Sequence, residues 1–100
     1  YQGIILDPPA YGHGTDGEKW KLEDQINEMI FDVLQLLDKE NHFLILNTYS
    51  LGFSSLILQN LLADNLKKVN LKNVHPEYGE IFIPSTTKQF LPLGVYARFQ

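Results

Sequence analysis

The stretch that decides the fold stands at the start of the chain and reads Gly3-Ile4-Ile5-Leu6-Asp7-Pro8-Pro9-Ala10-Tyr11. Its first four residues are apolar without alternation, which is typical of a strand buried on both faces of a parallel sheet. Pro8 and Pro9 end this strand, because proline lacks the backbone donor and restricts the residue before it. The sequence therefore predicts a buried strand with an acidic residue, Asp7, at its carboxyl end.

A long amphipathic helix is predicted between this strand and a second apolar run at Phe43 to Leu46. Its apolar residues recur at helical spacing opposite polar ones, and they are Leu22, Ile26, Met29, Ile30, Val33, Leu34 and Leu37. Thr15 and Glu18 are spaced for a capping box, but Gly17 between them also allows a start as late as Trp20. We expect the helix to end near Glu40–Asn41.

The second half of the chain predicts a shorter helix and then a long hairpin. The helix should begin at a Ser50 or Ser54 cap and end near Asp64–Asn65, with an apolar stripe of Phe53, Leu56, Ile57, Leu61 and Leu62. Extended segments within Val69 to Ile83 and from Leu91 to Phe99 form the hairpin. The fold class is α/β, and right-handed crossovers put both helices on one face of a mostly parallel sheet.

Composition bounds the possible functions. The chain has 100 residues, 44% of them hydrophobic, and no cysteine, which allows one compact domain without disulfides, thiolate zinc or a thiol nucleophile. A net charge of -4 gives this part no basic footprint for nucleic acid. No apolar run reaches about 18 residues, so we expect no membrane partner and a cytoplasmic protein. His13, His42 and His75 lack ligand spacing, so we expect no metal.

The segment from Ala10 to Lys21 carries Gly12, Gly14 and Gly17 and is interpreted as a flexible loop of about a dozen residues, a length often associated with function.

The chain also starts at Tyr1 without methionine, directly before an apolar run. We interpret residues 1–100 as a fragment of a larger domain, and a processed or tagged small protein is the alternative.

Polar residues follow both predicted parallel strands. They are Asp7-Pro8-Pro9-Ala10-Tyr11 after the first and Asn47-Thr48-Tyr49-Ser50 after the second. Ligands of open parallel sheets bind beyond the carboxyl ends of the strands. A carboxylate held rigidly there by two prolines suits an acceptor amine or hydroxyl.

Asp7-Pro8-Pro9 after a buried strand resembles motif IV of class I S-adenosylmethionine-dependent methyltransferases. The likeness extends to a bacterial branch related to the large-subunit rRNA enzymes. It is carried by Asp7-Pro8-Pro9-Ala10-Tyr11-Gly12-His13-Gly14, Gly17-Glu18-Lys19-Trp20-Lys21-Leu22, Tyr49-Ser50-Leu51-Gly52 and Leu91-Pro92-Leu93-Gly94-Val95-Tyr96-Ala97-Arg98-Phe99. These segments cover nearly the whole chain.

The resemblance implies that residues 1–100 are the C-terminal part of a Rossmann-like methyltransferase catalytic domain. The four predicted strands would correspond to the family's strands four, five, six and seven, the seventh running antiparallel between the fifth and sixth. It implies S-adenosylmethionine as the cofactor, RNA as the acceptor, and the remainder of the same domain as a partner that binds most of the cofactor. The fragment alone should be inactive.

Site residues also follow from the resemblance. Asp7, Pro8 and Pro9 would be catalytic, with Asp7 and Pro8 also touching the cofactor. Substrate contacts would come from Tyr11, His13, Trp20, Tyr49 and Ser50. Two departures bear on the chemistry. The chain has no cysteine for covalent methylation at carbon 5 of a pyrimidine, and Ala10 stands where base-amine methyltransferases usually carry a stacking aromatic residue.

Alternative roles stay open for several of these residues. Trp20 either closes over the substrate or packs at the entrance of the first helix. Ser50 either contacts the substrate or caps the second helix, and Asp7-Pro8 alone is also a common turn start. For the whole chain, the alternative to an enzyme is a non-catalytic methyltransferase-like module that binds a partner.

Overall fold

The protein is described from a computed structural model, which covers residues 1–9, 11–13, 19–49 and 54–100, with only the backbone described at 11–13 and 19–24. Its elements follow in the order β1 (Gly3–Leu6), β2 (Tyr11–His13), β3 (Lys19–Lys21), α1 (Leu22–Leu36), β4 (Phe43–Thr48), α2 (Ser55–Leu66), β5 (Glu77–Pro84) and β6 (Phe90–Phe99).

The main sheet has four strands in the order β1-β4-β6-β5. β1 and β4 are parallel and in register, with Leu6 opposite Leu46. β6 is antiparallel to both β4 and β5, so β1, β4 and β5 share one direction. The predicted α/β class is confirmed, but the sheet is mixed rather than mostly parallel, because two of its three strand pairings are antiparallel. The last strand lies between the second apolar run and its own hairpin partner.

The core lies between this sheet and the two helices. Its buried apolar side chains come from both helices, from Leu37 directly after α1, and from alternate positions of β4 and β6. They are Ile26, Ile30, Leu34, Leu37, Leu44, Leu46, Leu58, Leu62, Val95, Ala97 and Phe99. Burying an aliphatic or aromatic side chain of this size stabilises a fold by about 1.5–3 kcal/mol. The strand alternation leaves the opposite face of the sheet uncovered by α1 and α2.

Helix α1 follows the predicted periodicity but ends earlier than expected. Its described buried residues recur three or four positions apart, as an amphipathic helix requires. The helix stops at Leu36 rather than near Glu40–Asn41. The Asp38 carboxylate accepts hydrogen bonds from the backbone N–H groups of Glu40 and Asn41, both at 2.9 Å, which holds a turn in place of another helical turn. The Thr15–Glu18 capping box lies outside the described residues.

Helix α2 begins at the predicted Ser54 cap, whose hydroxyl accepts from the Ile57 N–H at 3.4 Å. The predicted apolar stripe is partly wrong, because Leu56 and Ile57 are exposed while Leu58 is buried. A run as apolar as Ser55 to Leu62 offers more than one possible stripe, and packing against α1 and β6 decides between them. Asn65, also buried, links the helices by donating to Asn27 Oδ1 at 2.9 Å.

The predicted loop from Ala10 to Lys21 is wrong in part, because it contains a two-stranded antiparallel sheet. Tyr11 lies opposite Lys21, and Gly12 opposite Trp20. Both three-residue strands carry an aromatic residue, which favours extended backbone, and they flank glycines suited to a hairpin connection. The described helices contain none that is long and apolar enough to cross a membrane.

Candidate functional site

The candidate site lies at the carboxyl ends of β1 and β4. Asp7 follows β1 directly and is exposed, Pro8 is half-buried, and Pro9 is exposed. Because β1 and β4 are parallel and in register, one further step along the pairing brings Asp7 beside Asn47. The edge where ligands of parallel sheets bind therefore carries a carboxylate and an amide next to each other.

Asn47 is a candidate that the sequence analysis did not select among its site residues. It is half-buried and pairs with Tyr96 of β6, so a carboxylate, an amide and a phenol follow one another across three neighbouring strands. Carboxylate and amide oxygens accept hydrogen bonds, and the amide nitrogen and the phenol donate them. The signal that could have found Asn47 is its position one residue past the apolar run that pairs with β1.

Thr48 and Tyr49 complete the described end of β4. Thr48 is 1% exposed, and its hydroxyl has no hydrogen-bond partner among the residues that the structure describes. Tyr49 is 55% exposed, at the strand end as predicted. β6 crosses closely here at Gly94, where an added Cβ would overlap the Thr48 carbonyl oxygen and meet Tyr49 Cδ1 at 3.2 Å. A glycine therefore allows the last strand to pass beside the site.

The remaining predicted site residues fall on less fully described segments. Tyr11, His13 and Trp20 lie on the β2–β3 hairpin, which leaves the sheet just after Pro9, at the same edge as Asp7. Only their backbone is described, so their proposed substrate contacts stay predictions. Ser50 and Ala10 lie outside the described residues.

The strongest described ion pair lies at the other end of the sheet. Arg98 donates to Glu77 Oε2 from Nε at 3.0 Å and from Nη2 at 2.8 Å, and this hydrogen bond raises the pKa of the guanidinium. Beside the pair is a hollow of about 550 Å³ that also contacts Phe43 and Ile45. It lies at the amino end of β4, so we do not assign the chemistry of Asp7 to it. Within the described part of the chain, no three His, Asp or Glu side chains cluster as metal ligands.

Solved structures share this architecture. A SAM-dependent methyltransferase from Agrobacterium tumefaciens matches all of this chain with a TM-score of 0.82 and 24% identity. The fold is the one found in SAM-dependent methyltransferases. A methyltransferase-like protein, SMU.776, crystallised in complex with SAH, matches all of the chain with a TM-score of 0.59 and 19% identity.

The chain corresponds to only part of each of these proteins. It spans 33% of the length of the Agrobacterium protein and 26% of that of SMU.776. No family model matches the chain, and a search of curated proteins finds no match. The likeness is therefore one of fold, and it covers the strands and helices that position Asp7.

Proposed function

We propose that this chain forms the acceptor side of a S-adenosylmethionine-dependent methyltransferase and that Asp7 holds the group to be methylated. The single observation that carries the proposal is the position of Asp7. Its carboxylate is exposed and directly follows β1, whose last residue, Leu6, pairs with Leu46 just before Asn47, in a fold shared with SAM-dependent methyltransferases. The proposed acceptor is a base of RNA, with rRNA the leading class, and the proposed location is the cytoplasm.

The residues present fit the cofactor in charge and in position. Asp7 and Pro8 would hold it, because a carboxylate attracts a positively charged sulfur. β1 is an edge strand of the described sheet, so its free side is open to the cofactor. When bound, S-adenosylmethionine supplies an electrophilic methyl group. Most of its contacts would come from a further part of the same domain beside β1.

The uncovered face of the sheet supports the proposal that a further part of the same domain packs against this chain. Ile5, in the middle of β1, is 64% exposed, and Phe43 of β4 is 41% exposed. Exposed apolar side chains on neighbouring strands are a common sign of a surface that another element covers. We propose that the remaining part of the methyltransferase domain packs on this face and beside β1.

Asp7 acts on the acceptor by position and by proton transfer. Its carboxylate accepts a hydrogen bond from the acceptor's N–H or O–H, which directs the acceptor's lone pair. The carboxylate would take the proton, or leave it to water, as the acceptor's bond to the methyl carbon formed and the carbon–sulfur bond broke, with the demethylated cofactor as the leaving group. Asn47 offers a second hydrogen-bonding group beside it. Tyr11 on the β2–β3 hairpin is proposed as a further substrate contact, as the resemblance implies.

The chain favours a nitrogen or oxygen acceptor over carbon 5 of a pyrimidine. Carbon-5 methylation requires a nucleophile that adds to the base and activates the carbon, usually a cysteine thiolate. This chain has no cysteine, and the carboxyl end of β4, where that nucleophile can lie in related enzymes, carries Asn47, Thr48 and then Tyr49. Ribosomal RNA from a deletion strain, analysed by mass spectrometry, should therefore have lost a methyl group on an amine or hydroxyl. Its content of 5-methylcytosine should be unchanged.

The proposal is tested by substituting Asp7→Ala in the complete protein. We expect transfer of labelled methyl groups from S-adenosylmethionine to ribosomal RNA to fall by at least about 100-fold, the low end for losing a general base. Asp32→Ala is the matched control, because Asp32 is an exposed aspartate on α1, away from this edge. Full activity of the Asp7→Ala protein would show that the motif has been misassigned.

A further inference from the structure

The hairpin of β5 and β6 continues well past the rest of the sheet. The pairing of β6 with β4 ends at Thr48, which lies opposite Val95. The pairing of β6 with β5 continues beyond this point, as far as Pro84 and Phe90. We call residues 80–94 the arm. The five β6 residues before Val95 carry it roughly 16 Å beyond the end of β4, at about 3.3 Å per residue.

The arm rises at the same edge as Asp7. β5 runs in the direction of β1 and β4, because β6 is antiparallel to both β4 and β5. β6 is the second strand from β1, so the arm stands roughly 10 Å to the side of Asp7, at about 4.8 Å per strand. A polymeric acceptor whose reacting base lies over Asp7 would meet the arm within a few nucleotides.

The tip of the arm is held by hydrogen bonds. The Ser85 N–H donates to the Gln89 carbonyl at 2.7 Å, and the Lys88 N–H donates to the Ser85 carbonyl at 3.2 Å. The Ser85 hydroxyl accepts from the Gln89 N–H at 3.1 Å. The backbone of the arm is therefore closed at its tip by a hydrogen-bonded turn.

One face of the arm forms an aromatic hollow. Phe82 and Phe90 meet edge to face, with ring centroids 4.9 Å apart. Together with Glu80 and Pro92 they line a space of about 370 Å³, which falls within the range of small-molecule sites, about 300–1,000 Å³. The rings are 50% and 65% exposed. Because half or more of each residue remains in contact with water, the two rings contribute little burial to the stability of the fold. Their exposed surfaces are available to a planar ligand.

The composition of the hollow selects among ligands. Glu80 is its charged residue and has no ion-pair partner among the described residues, so phosphate is disfavoured there. A carboxylate beside aromatic rings matches a base with an exocyclic amine, because bases stack on aromatic side chains and carboxylates accept from amino groups. Cytosine, adenine and guanine have that amine, and uracil does not.

A second copy of the chain fits this face less well. The exposed parts of Phe82 and Phe90 amount to roughly 230 Å², taking about 200 Å² for a whole phenylalanine, whereas a stable interface buries about 800 Å² per partner. The other exposed apolar side chains of the arm include Ile83 and Leu91, which lie opposite each other in the pairing and on the other face of the arm. One flat partner surface cannot cover both faces.

We propose that the arm binds the acceptor RNA beside the reacting base, an inference that rests on the proposed function. One of the Phe82 and Phe90 rings stacks on a flanking base while the other, nearly perpendicular to it, meets the edge of that base. Glu80 accepts a hydrogen bond from the amino group of the base. The arm thereby positions the RNA and favours a base with an amino group over uracil next to the methylated residue.

The test measures RNA binding by the complete protein. The probes are fluorescein-labelled single-stranded oligonucleotides of cytidine, adenosine or uridine, followed by fluorescence anisotropy. Phe82→Ala and Phe90→Ala should each weaken binding by roughly 5- to 150-fold, the equivalent of one lost stacking contact. Phe90→Trp, which keeps an aromatic ring at this position, should bind the probes with an affinity near that of the wild-type protein. Ile83→Ala and Leu91→Ala, matched exposed positions on the other face, should change it less than twofold.

A second readout concerns the identity of the base. Wild-type protein should bind the cytidine and adenosine probes more tightly than the uridine probe, and Glu80→Leu, which removes the hydrogen-bond acceptor, should reduce that preference. Binding of S-adenosylmethionine, measured by calorimetry, should be unchanged in all these variants, which separates failure of the arm from failure of the proposed function.

Three results would overturn the inference. The first is wild-type affinity in both phenylalanine variants, and the second is the absence of binding of all three probes to the wild-type protein. The third is unchanged RNA binding with a loss of dimers in ultracentrifugation, which would make the arm a surface for self-association.

Discussion

Gly94 allows the arm to leave the sheet next to the candidate site. Gly94→Ala should push the arm away from the candidate site. A Cβ at this position would overlap the carbonyl oxygen of Thr48 and lie 3.3 Å from the Thr48 carbonyl carbon. Backbone atoms in a paired strand cannot turn aside, so β6 has to move away from β4. Forcing an extra methyl group into a packed site costs about 1–3 kcal/mol, and a hydrogen bond lost between the strands adds about 0.5–1.5 kcal/mol.

Two other glycines provide matched controls. A Cβ at Gly79 would lie 3.0 Å from the Tyr96 ring, and one at Gly3 would overlap the Phe43 ring. Both neighbours are side chains that can turn, and Phe43 is 41% exposed. Alanine is also favoured over glycine inside a strand by roughly 0.5–1 kcal/mol. We therefore expect the free energy of unfolding to change by less than about 1 kcal/mol in Gly79→Ala and Gly3→Ala.

Urea unfolding of the complete protein, followed by circular dichroism, measures these differences. Gly94→Ala should lower the free energy of unfolding by about 2–3 kcal/mol, which is near 1 M in the midpoint for a slope of about 2 kcal/mol per molar. The same variant should raise the KM for the RNA acceptor, since the arm moves. Equal unfolding energies for Gly94→Ala and Gly79→Ala would refute the argument that the backbone contact is the cause.

The remaining predictions concern the turn after α1 and the contact between the helices. Hydrogen bonds from the backbone N–H groups of Asn41 and Glu40 lower the pKa of Asp38; its stabilising effect is present above the unfolded pKa and lost as pH falls through the lower folded value. Melting temperatures should therefore drop more between pH 5 and about pH 2.5 in the wild-type protein than in Asp38→Asn, and parallel curves would contradict this assignment. Asn65 is fully buried and donates to Asn27 Oδ1 at 2.9 Å and to the Leu61 carbonyl at 2.8 Å, so Asn65→Ala should cost about 1–3 kcal/mol in urea unfolding. Asn60→Ala, exposed on the same helix, should cost less than about 0.5 kcal/mol, and an equal cost for the two variants would remove the role assigned to the bridge.

The sequence predicted the elements whose patterns have a single solution. Ile4 to Leu6 before two prolines, and Phe43 to Leu46 before polar residues, are strands in the structure. The long helix also has one clear apolar face. The second helix was different, because Leu56, Ile57, Leu58 and Leu62 fit two stripes equally well, and contacts distant in the sequence determine that Leu58 is buried.

The candidate site was predicted one strand at a time. Asp7 was found because a carboxylate before two prolines is a local signal. Asn47 was missed as a site residue because its importance depends on the register between β1 and β4, which is a tertiary property. Phe82 and Phe90 read as ordinary strand residues, since the sequence does not reveal that β6 outlasts its pairing with β4.

The most direct test of the central claim is calorimetry of the complete protein with S-adenosylmethionine and with its demethylated product. We expect both to bind with one site per chain, and we expect Asp7→Ala to retain a folded protein while losing methyl transfer. Binding of neither compound to well-folded protein would contradict the account and favour a non-catalytic module with the same fold.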